Sequence, residues 1–142
     1  MTDIEIAVKN LSGHTLALCK CGEVITSDKR GIAPMADFIR EGYNLFGYSA
    51  ADRVVGKAAA MLFVKAGIKE VFAQTLSESA KDFMEKHGIA VSYEKLTDYI
   101  VNRNKDGMCP MESVVFDIQD VDEGVVKLQA KLEKMRKQHC SK

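Results

Sequence analysis

The segment EVFAQTLSESAKDFMEKHGIAVSY, Glu70 to Tyr93, decides the fold. Its first part, Glu70 to Leu76, is rich in β-forming residues and reads as a strand. Ser77 offers a side-chain oxygen to the unpaired N–H groups of a helix start, so a helix is expected over Glu78 to His87. Gly88 stops that helix, and Ile89 to Tyr93 reads as a second strand. Strand, helix and strand joined by short loops make a βαβ unit, whose crossover is right-handed.

The flanks extend the pattern. Upstream, Val54 to Val64 is apolar nearly all round, which marks a helix buried on several sides. Ser49 or Asp52 is expected to cap it, and Gly67 to end it after Ala66. Before it come a short apolar piece, Leu45 to Tyr48, and a helix of Met35 to Glu41 opened by Pro34 and stopped by Gly42. Thr15 to Cys21 and Glu23 to Ser27 read as a hairpin turning at Cys21-Gly22. Thr2 or Asp3 caps an amphipathic helix that runs to about Leu11.

Downstream, Leu96 to Val101 is open between a helical turn and an extended piece. Cys109 starts a helix to about Ile118, and Val121 to about Gln138 forms the last one. The expected fold is an α/β, three-layer α/β/α sandwich with a mixed sheet of about four or five strands. It is a single domain over residues 1–142, with its core at about 12–120.

Composition narrows the function classes. Twenty basic residues balance twenty acidic ones and tryptophan is absent, so neither a basic footprint nor a stacking platform for nucleic acid is present. Met1 to Asn10 has neither the basic start nor the apolar run of a secretory signal, and no apolar stretch approaches the length that spans a bilayer. A cytoplasmic protein is expected, with no membrane and no nucleic acid among its partners. The cysteines at 19, 21, 109 and 140 show no C-x-x-C spacing and read as free thiols.

Cys109-Pro110-Met111-Glu112 is the leading chemical motif. Proline suits a first helical turn, so Cys109 caps a helix start whose N–H groups and dipole favour a thiolate. Glu112, at the third helical position, can reach back over the same N-terminus. The pair reads as a nucleophile with a proton acceptor, or as a small buried residue with a dipole partner.

Asp52, Gly56 and Lys57 form the second group. A glycine inside a helix costs about 1 kcal/mol relative to alanine, so something is expected to approach the Gly56 backbone closely. A lysine on a helix without a solvated face is paired, snorkels, or lines a cavity where it holds an anion or acts as a base or Schiff-base amine. Arg103 and Lys105, in the loop ahead of Cys109, read either as solvated loop charges, the ordinary case, or as binders of an anionic substrate group at the same helix end. His14, His87 and His139 lack zinc-site spacing.

Ser49 to Ala59 (SAADRVVGKAA), Lys86-His87-Gly88-Ile89, Asn102-Arg103 and Cys109 to Glu112 resemble an uncharacterised prokaryotic domain-of-unknown-function family of the cytidine deaminase-like superfamily. The resemblance covers about residues 12 to 120 and implies that superfamily's fold. Zinc deaminases carry [HC]-x-E on one helix and P-C-x-x-C on the next. This chain offers Asp52-Arg53-Val54 and a lone cysteine there, so neither metal nor other cofactor is expected.

The resulting expectation is a zinc-independent protein that binds or acts on a nucleotide-like or anionic small molecule. Cys109 and Glu112 would be catalytic, and Asp52, Gly56, Lys57 and Arg103 would bind the ligand. The alternative is a non-catalytic, ligand-sensing or structural module assembled as a homodimer.

Overall fold

The computed structural model describes residues 1–100 and 109–140, with side chains to 137. Helix α1 (Asp3–Asn10) opens on a capping box in which Thr2 N–H donates to Glu5 Oε1 at 2.8 Å while Glu5 N–H donates to Thr2 Oγ1 at 3.3 Å. Strands β1 (Leu16–Lys20) and β2 (Glu23–Ser27) form the expected hairpin. Its two-residue turn places Cys21 and Gly22 at φ 52° and 83°, the left-handed pair that matches strand twist.

Helix α2 (Ala33–Arg40), strand β3 (Ser49–Val55) and helix α3 (Lys57–Ala66) follow. Strand β4 (Glu70–Ser77), helix α4 (Glu78–Lys86) and strand β5 (Ala90–Thr97) are the predicted βαβ unit, with Ser77 Oγ accepting from Ala80 N–H at 3.2 Å. Leu96 and Thr97 therefore belong to a strand. Helices α5 (Pro110–Val115) and α6 (Val121–Cys140) complete the chain. The sheet order is β2-β1-β3-β4-β5; β1 is antiparallel to both neighbours, and β3, β4 and β5 are parallel.

One expectation is overturned here. Ser49 to Val55 is the central strand, not the capped start of a helix, and neither Ser49 nor Asp52 is an N-cap. A strand covered on both faces is apolar without alternation, so it merged with the apolar helix behind it into one run. Ala50 and Ala51 are both wholly buried, one in each of the two apolar clusters that flank the sheet.

Those clusters define the layers. Ala7 of α1 and Leu11 at its C-terminal cap pack on Ala17, Cys19 and Ala51 on one face. On the other, α3 lies against the sheet with α2 and α4 beside it and α6 across its back. Ala58 to Phe63 are buried in turn, which is why this helix shows no polar stripe. Gly124 lets α6 come close: a β-carbon there would sit 2.3 Å from Met61 Sδ. No described helix is long and apolar enough to cross a membrane.

Asp37 ties α6 to α2. Its carboxylate, almost fully buried, accepts from Lys29 Nζ at 2.7 Å and from Arg136 Nη2 at 2.9 Å to each oxygen, with Arg40 Nη2 at 3.2 Å. Burial alone would push its pKa up, but Lys29 and Arg136 overcome that and hold it below the ordinary value. A carboxyl with a depressed folded-state pKa stabilises the fold above its unfolded pKa and loses that contribution as pH falls through the folded value. Asp37→Asn should therefore cost about 1–3 kcal/mol in urea denaturation near neutral pH. The difference from the parent should shrink steadily below about pH 4.

Candidate functional site

Because β3, β4 and β5 run parallel, their C-terminal ends share one edge of the sheet, the edge where α/β folds place ligands. Gly56 and Lys57 follow β3, Ser79 follows β4, and Asp98 and Tyr99 follow β5. Helix α5 crosses the same edge and brings Glu112, with Phe116 and Gln119 just beyond it. A cleft of about 260 Å³ lies here, lined by Lys57, Ser79, Asp98, Tyr99, Glu112, Phe116 and Gln119. A second space of about 160 Å³ shares Lys57, Ser79 and Gln119 and extends to Asp82, Phe83 and Lys86.

Glu112 holds the start of α3. Its Oε1 accepts from Lys57 N–H at 2.8 Å and its Oε2 from Ala58 N–H at 2.7 Å. A helix start has unpaired N–H groups, and Gly56, the N-cap, has no side chain to satisfy them. The carboxylate arrives from another segment instead, at the positive end of the dipole. Burial pushes the Glu112 pKa up, against the two N–H groups and Lys57. Gly56 is where the expected close approach occurs, since a β-carbon there would lie 2.4 Å from Glu112 Oε1. The residue is the N-cap of α3 in extended conformation, not a position inside it.

Lys57 is 7% exposed. Its Nζ donates to the Phe116 carbonyl at 3.3 Å and lies 6.0 Å from the centroid of the Phe83 ring. Among the described residues no carboxylate comes within ion-pairing distance of it. Burial lowers its pKa, and Lys86 pushes the same way, while Glu112 and Asp117 oppose the shift.

The other sequence candidates stand apart from this cavity. Cys109 is the N-cap of α5, half-buried against the apolar core, and its side chain makes no capping hydrogen bond. Its N–H donates to the Ile100 carbonyl at 2.9 Å, and its own carbonyl accepts from Ser113 N–H at 3.1 Å. Glu112 does not reach back over this helix; both its oxygens face α3. Cys109 is not among the residues lining either space. Arg103 lies outside the described residues.

Asp52 sits within β3, and its Oδ1 accepts from Arg53 N–H at 2.7 Å. Strand pairing is interrupted at that step: Ser49–Asp52 face Glu70–Ala73, and the ladder resumes at Val54 opposite Thr75. The Arg53 guanidinium turns away to the carbonyls of Leu11 and His14. Burial, only partly opposed by the Arg53 and Val54 N–H groups, raises the Asp52 pKa to about 7.

Ser79, Asp98, Tyr99, Phe116 and Gln119 were not singled out by sequence. The one signal pointing to several of them is position, just past a strand end. Among the described residues no group of three His, Cys, Asp or Glu side chains is placed to hold a metal. The donors here do not fit a zinc centre: Glu112 spends both oxygens on α3, and among the described residues no second thiol stands beside Cys109.

The family model of TM1506, a domain of unknown function (DUF1893), matches residues 7–132. The chain belongs to the DUF1893 family. The crystal structure of a DUF1893 protein from Thermotoga maritima superposes with a TM-score of 0.83 at 24% identity, over 92% of this chain and 91% of that one. It shares the whole fold of this DUF1893 chain.

Weaker similarity extends to two deaminases, each over 63% of the DUF1893 chain. One is the T. maritima diaminohydroxyphosphoribosylaminopyrimidine deaminase/5-amino-6-(5-phosphoribosylamino)uracil reductase, with a TM-score of 0.47, 13% identity and 34% of its own chain covered. The other is the dCMP deaminase of cyanophage S-TIM5, with a TM-score of 0.48, 12% identity and 94% of its chain covered. No curated protein sequence matches.

Two expectations follow from the geometry. Gly56→Ala should cost about 2–3 kcal/mol, because its methyl group displaces a buried charged acceptor from two N–H donors. In a Glu112→Ala background the same change should be nearly neutral, a coupling that a double-mutant cycle in urea measures directly. Asp52 works with the opposite sign to Asp37. A carboxyl whose folded pKa is raised stabilises the fold below its unfolded pKa, and the contribution is lost as pH rises through about 7. Stability should fall between about pH 4 and pH 7, and Asp52→Asn should flatten that slope in pH-resolved denaturation.

Proposed function

We propose that this domain binds a small polar metabolite with an anionic, nucleotide-like group in the cavity beyond the C-terminal ends of β3, β4 and β5. The observation that supports this reading is the buried amine of Lys57, which borders both spaces with only a 3.3 Å contact to a backbone carbonyl. A lysine buried for structural reasons is normally ion-paired, because desolvating an ammonium without a partner is costly. Lys86, on the wall of the smaller space, adds positive charge. Tyr99 and Phe116, both more than half exposed, give the larger cavity flat apolar walls suited to a planar ring.

In this reading Glu112 and Gly56 position Lys57 by fixing the first turn of α3. Cys109 contributes through its backbone, which starts α5 and so aims Glu112. A thermal-shift screen of inorganic phosphate, nucleosides and nucleoside monophosphates tests it. Ligand at about a hundred times its Kd adds about 2.7 kcal/mol to stability, enough to raise Tm by several degrees. Lys57→Ala should abolish that rise without moving the Tm of the free protein downward. A full screen with no shift in the parent protein would end the reading.

A further inference from the structure

We propose that Lys57 is a carbonyl-reactive amine that forms an imine with an aldehyde or ketone group of the molecule held in this cavity. The inference deepens the ligand-site reading and rests on it. Three observations converge on the amine. The Lys57 side chain is largely buried, and its Nζ lies 6.0 Å from the centroid of the Phe83 ring. It borders two spaces, of about 260 Å³ and 160 Å³. Among the described residues no carboxylate is in ion-pairing contact to fix it as an ammonium.

Lysines become nucleophiles in these circumstances, desolvated against an apolar wall and close to a second cation. Lys86 is that second cation, its influence opposed by Glu112 and Asp117, and it lines the smaller space where an anionic substituent of the same molecule would meet it.

The chemistry closes on its own. The unprotonated amine adds to the carbonyl carbon, the new C–N bond forming as the C=O pair moves to oxygen. One amine proton passes to that oxygen, giving a carbinolamine. The second leaves the nitrogen as the C–O bond breaks, so that water departs and a C=N bond remains. Amine plus carbonyl gives imine plus water, with no oxidant or reductant consumed.

Glyoxylate, a small aldehyde with a carboxylate, is the probe. The full-length protein is treated with glyoxylate and cyanoborohydride, and reduced adducts are located by peptide mass spectrometry. Lys57 should be labelled about tenfold more than the median lysine, despite its burial. Lys57→Arg, which keeps the charge but cannot form an imine, should lose that adduct. Labelling spread over surface lysines with Lys57 untouched would overturn the imine, and a surviving phosphate shift would leave the ligand site standing. Preferential labelling of Lys57 without any phosphate shift would uphold the amine chemistry and remove the anionic-ligand reading instead.

Discussion

A single carboxylate laid across the start of a helix organises this structure. Helix α3 is the most buried of the described helices, pressed between the sheet and α6, and its start has no side-chain cap of its own. Two charge-assisted hydrogen bonds from Lys57 and Ala58 to Glu112 satisfy that end. They also fix α5 against α3, which sets one wall of the cavity. Gly56 is required for the contact because any β-carbon would occupy the carboxylate's place. The lysine of the Gly56-Lys57 pair is then directed by the first turn of α3 along the strand ends, toward Phe116 and Phe83.

Much of the fold was legible in the chain. Hairpin, βαβ unit and terminal helices follow from turn residues, caps and apolar spacing, each a local signal. The central strand was not, because Ser49 to Asp52 is buried on both faces and carries small alanines where strands usually show alternation. At the site, the oddity of Gly56 and Lys57 was visible in composition alone. The partner that explains them was not, since Glu112 stands 55 residues from Lys57. Local reasoning aimed that carboxylate at its own helix, where Cys109 is. The ion cluster at Asp37 was invisible for the same reason, as Arg136 lies 99 residues away.

Buried charge is handled in three different ways. Asp37 is surrounded by cations and stays ionised at a depressed pKa. Asp52 has only backbone N–H groups, and burial makes its proton hard to lose. Lys57 touches a carbonyl and an aromatic ring, and burial lowers its pKa against the opposing pull of Glu112 and Asp117. The first fastens two helices and the second marks a step where strand pairing lapses. Of the three, only Lys57 borders the spaces at the strand ends.

The distant origin of the α3 cap bears on how the chain assembles. Synthesis delivers α3 and the βαβ unit before residue 112, so any α3 formed by then has its leading N–H groups bare. Until the later segment docks, those donors are open to any anion at hand, and a free phosphate or carboxylate could hold the nascent helix in the protein's stead. Arrival of Glu112 would then exchange a borrowed cap for a built-in one.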